Sequence, residues 1–252
     1  MENEGNLDCV EAAKAQDMGV FIISPTDKGG ALYEPPQYLC DTCAPLPPIV
    51  FNNLFLWSHD AISTLVIGAA RPADLDEHTQ AVKLYSQRKE LSLPIMNKLK
   101  AKVAETFDPE FYENWFKGLP TAYENDEGLP IANLFWLWWL CKAWGMYNYA
   151  LKRYSAFEGN ISGWDDELSV DENRGKFSWV PGIAFRPARE DRLRTILEGH
   201  ARGQQIADAI VELHGWLHTG GCIKRKEIPD GVDTAAWKVA YDLQPSKPYP
   251  ER

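Results

Sequence analysis

The stretch Gly19-Val20-Phe21-Ile22-Ile23-Ser24-Pro25-Thr26-Asp27-Lys28-Gly29-Gly30 decides how the first part of the chain is read. Val20 to Ile23 is a short run of β-branched and aromatic residues, the composition of a strand buried on both faces. Ser24-Pro25 and the glycines break it into a loop. A second run, Ser63-Thr64-Leu65-Val66-Ile67, breaks in the same way into Gly68-Ala69-Ala70-Arg71-Pro72. Between them Pro48 opens a helix to about Trp57, with Val50, Leu54 and Trp57 on one face and Phe51 and Phe55 beside them. Strand, helix, strand predicts a parallel βαβ unit.

Outward from this unit the punctuation is regular. Leu7, Val10 and Ala13 predict a short helix over 7–17, closed by Gly19. Residues 35–48 hold five prolines and read as an irregular surface connection. Pro72 stands at a first-turn position, where its missing N–H costs nothing. Asp74, Asp76 and Glu77 follow it and favour the helix dipole; that helix is expected to reach about Lys89. Pro94 is expected to open another, with Met96, Leu99 and Val103 as its stripe, ending near Phe107. From Phe111 aromatic residues crowd together. One long helix is expected over 130–157, apolar nearly all round at Leu134-Phe135-Trp136-Leu137-Trp138-Trp139-Leu140, and such a helix must be covered. Its aromatics read as core packing rather than as a ligand pocket. A Gly-, Asp- and Ser-rich loop is expected over 159–187, then one helix from Pro187 to about Thr219, stopped by Gly220-Gly221.

The 252-residue chain has a formal charge of −10. That balance disfavours a nucleic-acid or anionic-membrane surface. The longest apolar run, Leu134 to Cys141, is far short of the roughly 20 residues a membrane span needs. The acidic start Met1-Glu2-Asn3-Glu4 lacks the features of a targeting signal, so a cytoplasmic location is expected. Cys40-Asp41-Thr42-Cys43 has CxxC spacing, and His214 and His218 stand four apart. Neither is accompanied by the further ligands a structural metal site needs, so no metal residues are assigned.

The segments Gly19–Pro25 and Ile67-Gly68-Ala69-Ala70-Arg71-Pro72 resemble the seventh and eighth strands of the aldo/keto reductase family. Ser24-Pro25-Thr26-Asp27-Lys28-Gly29-Gly30, Phe51-Asn52-Asn53-Leu54-Phe55, Gly118-Leu119-Pro120 and Gly159-Asn160 are similar to one branch of it, the aldo/keto-reductase-like oxidoreductases with a helical C-terminal extension. The similarity covers roughly residues 9–182 and implies an α/β fold: the last two β/α units of a (β/α)₈ TIM-barrel-like fold plus a mainly helical extension. On this reading residues 1–108 are a partial barrel, 109–219 an aromatic-rich extension and 220–252 a tail. Residues 159–187 look like an insertion relative to the family, without which Gly159-Asn160 and Trp179-Val180-Pro181-Gly182 would be close in sequence.

What the resemblance implies for function is the C-terminal portion of an NADP-dependent oxidoreductase acting on a carbonyl substrate, lacking the catalytic half. Ser24, Pro25, Lys28 and Gly29 would border the pyrophosphate or ribose of NADP. Gly68, Ala69 and Arg71 would meet its 2′-phosphate, and Glu77 and His78 would fall near the adenine. Backbone N–H groups at a helix start suit such an anion. Three positions depart from the family: Ile23 replaces an aromatic residue, Asp74 an Arg or Gln, and His78 an Asn. The family's catalytic Asp, Tyr, Lys and His lie on earlier strands and match nothing here, so no catalytic residue is assigned. Tyr33, Lys28, Asp27 and His59 have suitable chemistry but stand in no matching motif. The alternative is a non-catalytic structural or interaction subunit. Two parallel strands cannot close a barrel and leave open edges, so either reading implies a protein partner or self-association covering the sheet edge.

Overall fold

The structure, a computed structural model, describes residues 6–178 and 180–218. β1 (Val20–Ile23) and β2 (Ile62–Val66) form a two-stranded parallel sheet, and among the described residues neither pairs with any other strand. Among the described residues everything else with regular structure is helical. The chain is therefore a mainly helical protein, which corrects the expected α/β partial TIM barrel with a helical extension. The physical reason lies in what surrounds the βαβ unit. Barrel strands are flanked by strands on both edges, whereas the apolar sequence beyond β2 is committed to helices throughout.

Contacts divide the chain into two units. The first takes the chain through Asn114 together with Ala143–Met146. It contains α1 (Asn6–Ala15), α2 (Gln37–Cys43), α3 (Pro48–Ser58), α4 (Pro72–Lys83), α5 (Arg88–Thr106) and α6 (Pro109–Asn114). α3 is its centre, with Ile49, Val50 and Leu54 wholly buried. It packs on α4 and α5, and Ile95, Leu99 and Val103 of α5 are buried. On one face of the sheet Ile62 and Leu65, flanked by Val20 and Ile22, pack with Val10 of α1 and Leu56 of α3. On the other face three apolar side chains stand exposed. Phe21 is 64% exposed, Ile23 74% and Val66 48%. The parallel register places Phe21 beside Thr64 and Ile23 beside Val66. The strand expected to be buried on both faces is buried on one.

The second unit holds Trp115–Lys142 and the described chain from Tyr147 onward. α7 (Ile131–Trp144), most of which lies in this unit, is followed by α8 (Tyr147–Ile161), α9 (Val170–Arg174), α10 (Glu190–Ile196) and α11 (Gly203–Leu217). Its core contains Leu134, Phe135 and Leu137 of α7, Tyr154 and Phe157 of α8, Leu193 of α10, and Ile206, Ile210, Leu213 and Leu217 of α11. The two long helices expected from periodicity are each two. Gly145 (φ 67) separates α7 from α8, and Gly199 (φ 85) turns the chain between α10 and α11. Glycine reaches this left-handed region without the cost other residues meet.

Four further helices differ from expectation. α2 forms inside the proline-rich connection and α9 inside the expected loop over 159–187, α4 ends at Lys83 rather than near Lys89, and α5 begins at Arg88 rather than at Pro94. Arg88 anchors that start, donating from Nε to Trp57 O (2.7 Å) and from Nη2 to Asp60 (3.2 Å). Such tertiary contacts outweigh the local breaker, and Pro94 rides inside the helix. The expected helix end at Thr219 and the tail at 220–252 lie outside the described residues.

Candidate functional site

The residues assigned from the resemblance gather at the C-terminal ends of β1 and β2. Ser24 extends the sheet by one rung, donating its N–H to Val66 O (3.0 Å), and takes a left-handed conformation (φ 53). The chain then folds on itself. Gly29 N–H donates to Ser24 O (3.3 Å), Ala31 N–H to Asp27 O (2.6 Å) and Leu32 N–H to Thr26 O (2.8 Å). A Cβ on Gly29 would stand 2.2 Å from Pro25 O. That glycine is thus required by the loop's own closure, which leaves no need for a phosphate to explain it. Asn52 Nδ2 also reaches Pro25 O (3.3 Å). Lys28 is exposed beside this loop, and Gly68 and Ala69 are exposed past β2.

The start of α4 is the other half of the site. Asp74 is wholly buried and Arg71 is 8% exposed. The Asp74 carboxylate accepts from Ala70 N–H (2.9 Å), Arg71 N–H (2.8 Å) and Arg71 Nη2 (3.3 Å). Arg71 Nη2 also donates to Tyr33 O (2.7 Å). The donors that would receive a 2′-phosphate already hold an internal carboxylate. As they stand, these residues do not fit an NADP phosphate. Burial, with the Asp27 and Asp74 carboxylates, raises the Tyr33 hydroxyl above its ordinary value.

His78 is buried and bridges the two halves. Its Nε2 stands 3.2 Å from Gly68 O, and Asn53 Nδ2 stands 2.8 Å from its Nδ1. Gly68 O only accepts, so Nε2 carries the proton and Nδ1 accepts from Asn53. Asn53 Oδ1 and Thr26 Oγ1 are buried without a hydrogen-bond partner among the described residues. Glu77 is half-buried on the same helix. Sequence reasoning assigned no role to Asn53. Its signal was a paired asparagine, Asn52-Asn53, inside the otherwise apolar helix Pro48–Ser58. The structure thus brings Ser24, Pro25, Gly29, Gly68, Arg71 and His78 into one connected region. Their partners there are backbone carbonyls, Asp74 and Asn53.

A second polar array lies in the other unit. Tyr154 Oη is 2.6 Å from His214 Nδ1, and His218 Nδ1 is 2.6 Å from Glu158 Oε1. The two imidazoles stack at 4.5 Å, and the Phe185 ring meets His214 edge-on. Burial lowers the His214 pKa to about 4; the neighbouring His218 adds to this and Glu158 opposes it. The folded chain therefore refuses a proton that the unfolded chain accepts near 6.5. The resulting stability is fully present above that value and is lost as pH falls towards 4. Because the ring is partly solvated, the expected loss is on the order of 1–2 kcal/mol, below the full linkage value. Urea unfolding of wild type and His214→Asn between pH 7 and 4.5 measures it as the difference between the two slopes. Parallel slopes would remove His214 as the cause.

Among the described residues no group of His, Cys, Asp and Glu is arranged to hold a metal ion, and no helix is long and apolar enough to cross a membrane. Comparison of the chain with protein-family models, with curated proteins and with solved structures returns no match.

Proposed function

We propose that the chain is a non-catalytic interaction protein that assembles through the open sheet of its first unit, with a second copy of itself as the occupant. The observation that carries this is the bare apolar face of β1 and β2, formed by Phe21, Ile23 and Val66. Exposed apolar side chains grouped on one face mark an interaction surface. Both strands are also edges, and an unpaired edge invites another strand. A two-fold axis suits the apolar face, because the same patch then meets itself. The formal charge of −10 opposes the approach of two copies. Salt screens that repulsion over about 10 Å at 0.1 M, so association strengthens as salt rises.

The NADP-dependent carbonyl oxidoreduction implied by the family resemblance draws less support. The Arg71 guanidinium and the Ala70 and Arg71 N–H groups ahead of α4 are engaged by Asp74, and Gly29 packs directly on Pro25 O.

Sedimentation equilibrium of the purified chain at micromolar concentration tests the proposal. Wild type is expected to dimerise, more tightly at higher salt. Phe21→Ser/Ile23→Ser is expected to weaken dimerisation at least tenfold with unchanged circular dichroism. A wild-type monomer at all salt concentrations would sink the reading.

A further inference from the structure

The CxxC pair of the sequence lies on α2, a helix of the first unit that no functional reading has used. Cys40 is half-buried and Cys43 is 1% exposed; neither is in a disulfide. Both sit inside one continuous α-helix, Gln37–Cys43. The rise and turn of an α-helix put residues three apart about 5 Å from Cα to Cα. Disulfides span Cα separations of roughly 4.4–6.8 Å. The same spacing sets the two side chains on one face. Cys43 is the last residue of the helix, and its carbonyl accepts from Leu46 N–H (2.9 Å), so the chain can adjust its end without breaking a longer helix.

From this placement we infer that Cys40 and Cys43 form a reversible dithiol–disulfide pair, a redox modification site on α2 that reacts with small disulfides. The order of events follows from access. The Cys40 thiolate attacks one sulfur of a disulfide such as glutathione disulfide and releases one glutathione thiolate. Cys43, deprotonated, then attacks Cys40 Sγ of the mixed disulfide and releases the second. The pair loses two protons and two electrons, and the disulfide reagent is reduced to two thiols. Burial and the neighbouring Cys40 push the Cys43 thiol up to about 12, and Lys98 only partly opposes them. Closure is therefore the slow step, and the Cys40 adduct accumulates first. α2 packs on α3 and α5, and the inference does not depend on the assembly proposed above.

The test is peptide mass mapping of the full chain equilibrated in glutathione buffers of increasing oxidised fraction. The peptide carrying both cysteines is expected to become two mass units lighter, through a transient glutathione adduct at Cys40. Because thiolate limits closure, its rate is expected to rise about tenfold per pH unit below the Cys43 value. Cys43→Ala is expected to hold the adduct at Cys40, and Cys40→Ser to leave Cys43 unmodified. Exposed Cys9 reports reagent access in every sample. A persistent adduct without closure in wild type, or an unmodified pair while Cys9 is fully glutathionylated, would overturn the inference. Should Cys43→Ala fail to fold, the order and pH dependence of the wild-type species still decide it.

Discussion

Asp74→Ala is expected to destabilise the first unit by about 3–5 kcal/mol, the cost of breaking a buried carboxylate–guanidinium pair from one side. The carboxylate is wholly buried and serves three donors at once: Ala70 N–H, Arg71 N–H and the Arg71 guanidinium. Its removal would leave the Ala70 and Arg71 N–H groups at the entry to α4 without their acceptor and take from the Arg71 guanidinium, 8% exposed, one of its partners. Asp74→Asn keeps an oxygen for the backbone donors and loses the charge, so it is expected to cost about half as much. On the family resemblance, Asp74→Arg would improve binding of a 2′-phosphate if that carboxylate faced it. In the structure the carboxylate faces Ala70 N–H, Arg71 N–H and the Arg71 guanidinium. Two guanidiniums at a buried helix start repel, and Asp74→Arg is expected to be the worst of the three. Urea unfolding followed by far-ultraviolet circular dichroism ranks them, and hydrogen exchange at Ala70 and Arg71 localises the effect. A loss under about 1 kcal/mol for Asp74→Ala would mean that solvent replaces the carboxylate.

The βαβ unit was legible because each of its strands is a short apolar run ended by Pro or Gly, and Pro48 marks the helix between them. Its isolation was not. Val20–Ile23 has the composition of a strand covered on both faces, and nothing within those four residues tells that Phe21 and Ile23 face solvent. That depends on what packs against them, which local sequence does not encode. The breaks at Gly145 and Gly199 were signalled by the glycines, but the apolar periodicity runs through both and masks them. The gathering of Ser24, Gly68, Arg71 and His78 follows from two parallel strands ending side by side. What each of them bonds to depends on Asn53, Tyr33 and Asp74, which sit on other elements or face inward. His214 and His218 showed their helical spacing in sequence, while Tyr154 and Glu158, which engage them, stand 60 residues earlier in each case.

Asn160→Ala is expected to remove about 3 kcal/mol from the second unit. Asn160 sits at the end of α8 and is 6% exposed. Its Nδ2 donates to Val180 O (2.8 Å) and Gly182 O (2.7 Å), and its Oδ1 accepts from Ser178 N–H (3.0 Å). One side chain thus closes the neck of the excursion that carries α9 and delivers Ile183, Ala184 and Phe185, all at most 1% exposed, to the core. Two features show how little room the neck has. Ile183 N–H donates to Gly128 O (3.0 Å), and a Cβ on Gly182 (φ 101) would stand 2.7 Å from Pro130 Cδ. Each buried group left without its partner costs about 1–3 kcal/mol, and water entering the vacated space recovers part of that. Asn160→Asp separates hydrogen bonding from shape. It keeps the volume and the acceptor for Ser178 but turns both donated bonds into oxygen facing oxygen. If the bonds matter, Asp is at least as damaging as Ala; if packing alone matters, Asp is nearly neutral. Urea unfolding of the two variants, with hydrogen exchange at Ser178, Ile183 and Ala184, decides between these outcomes.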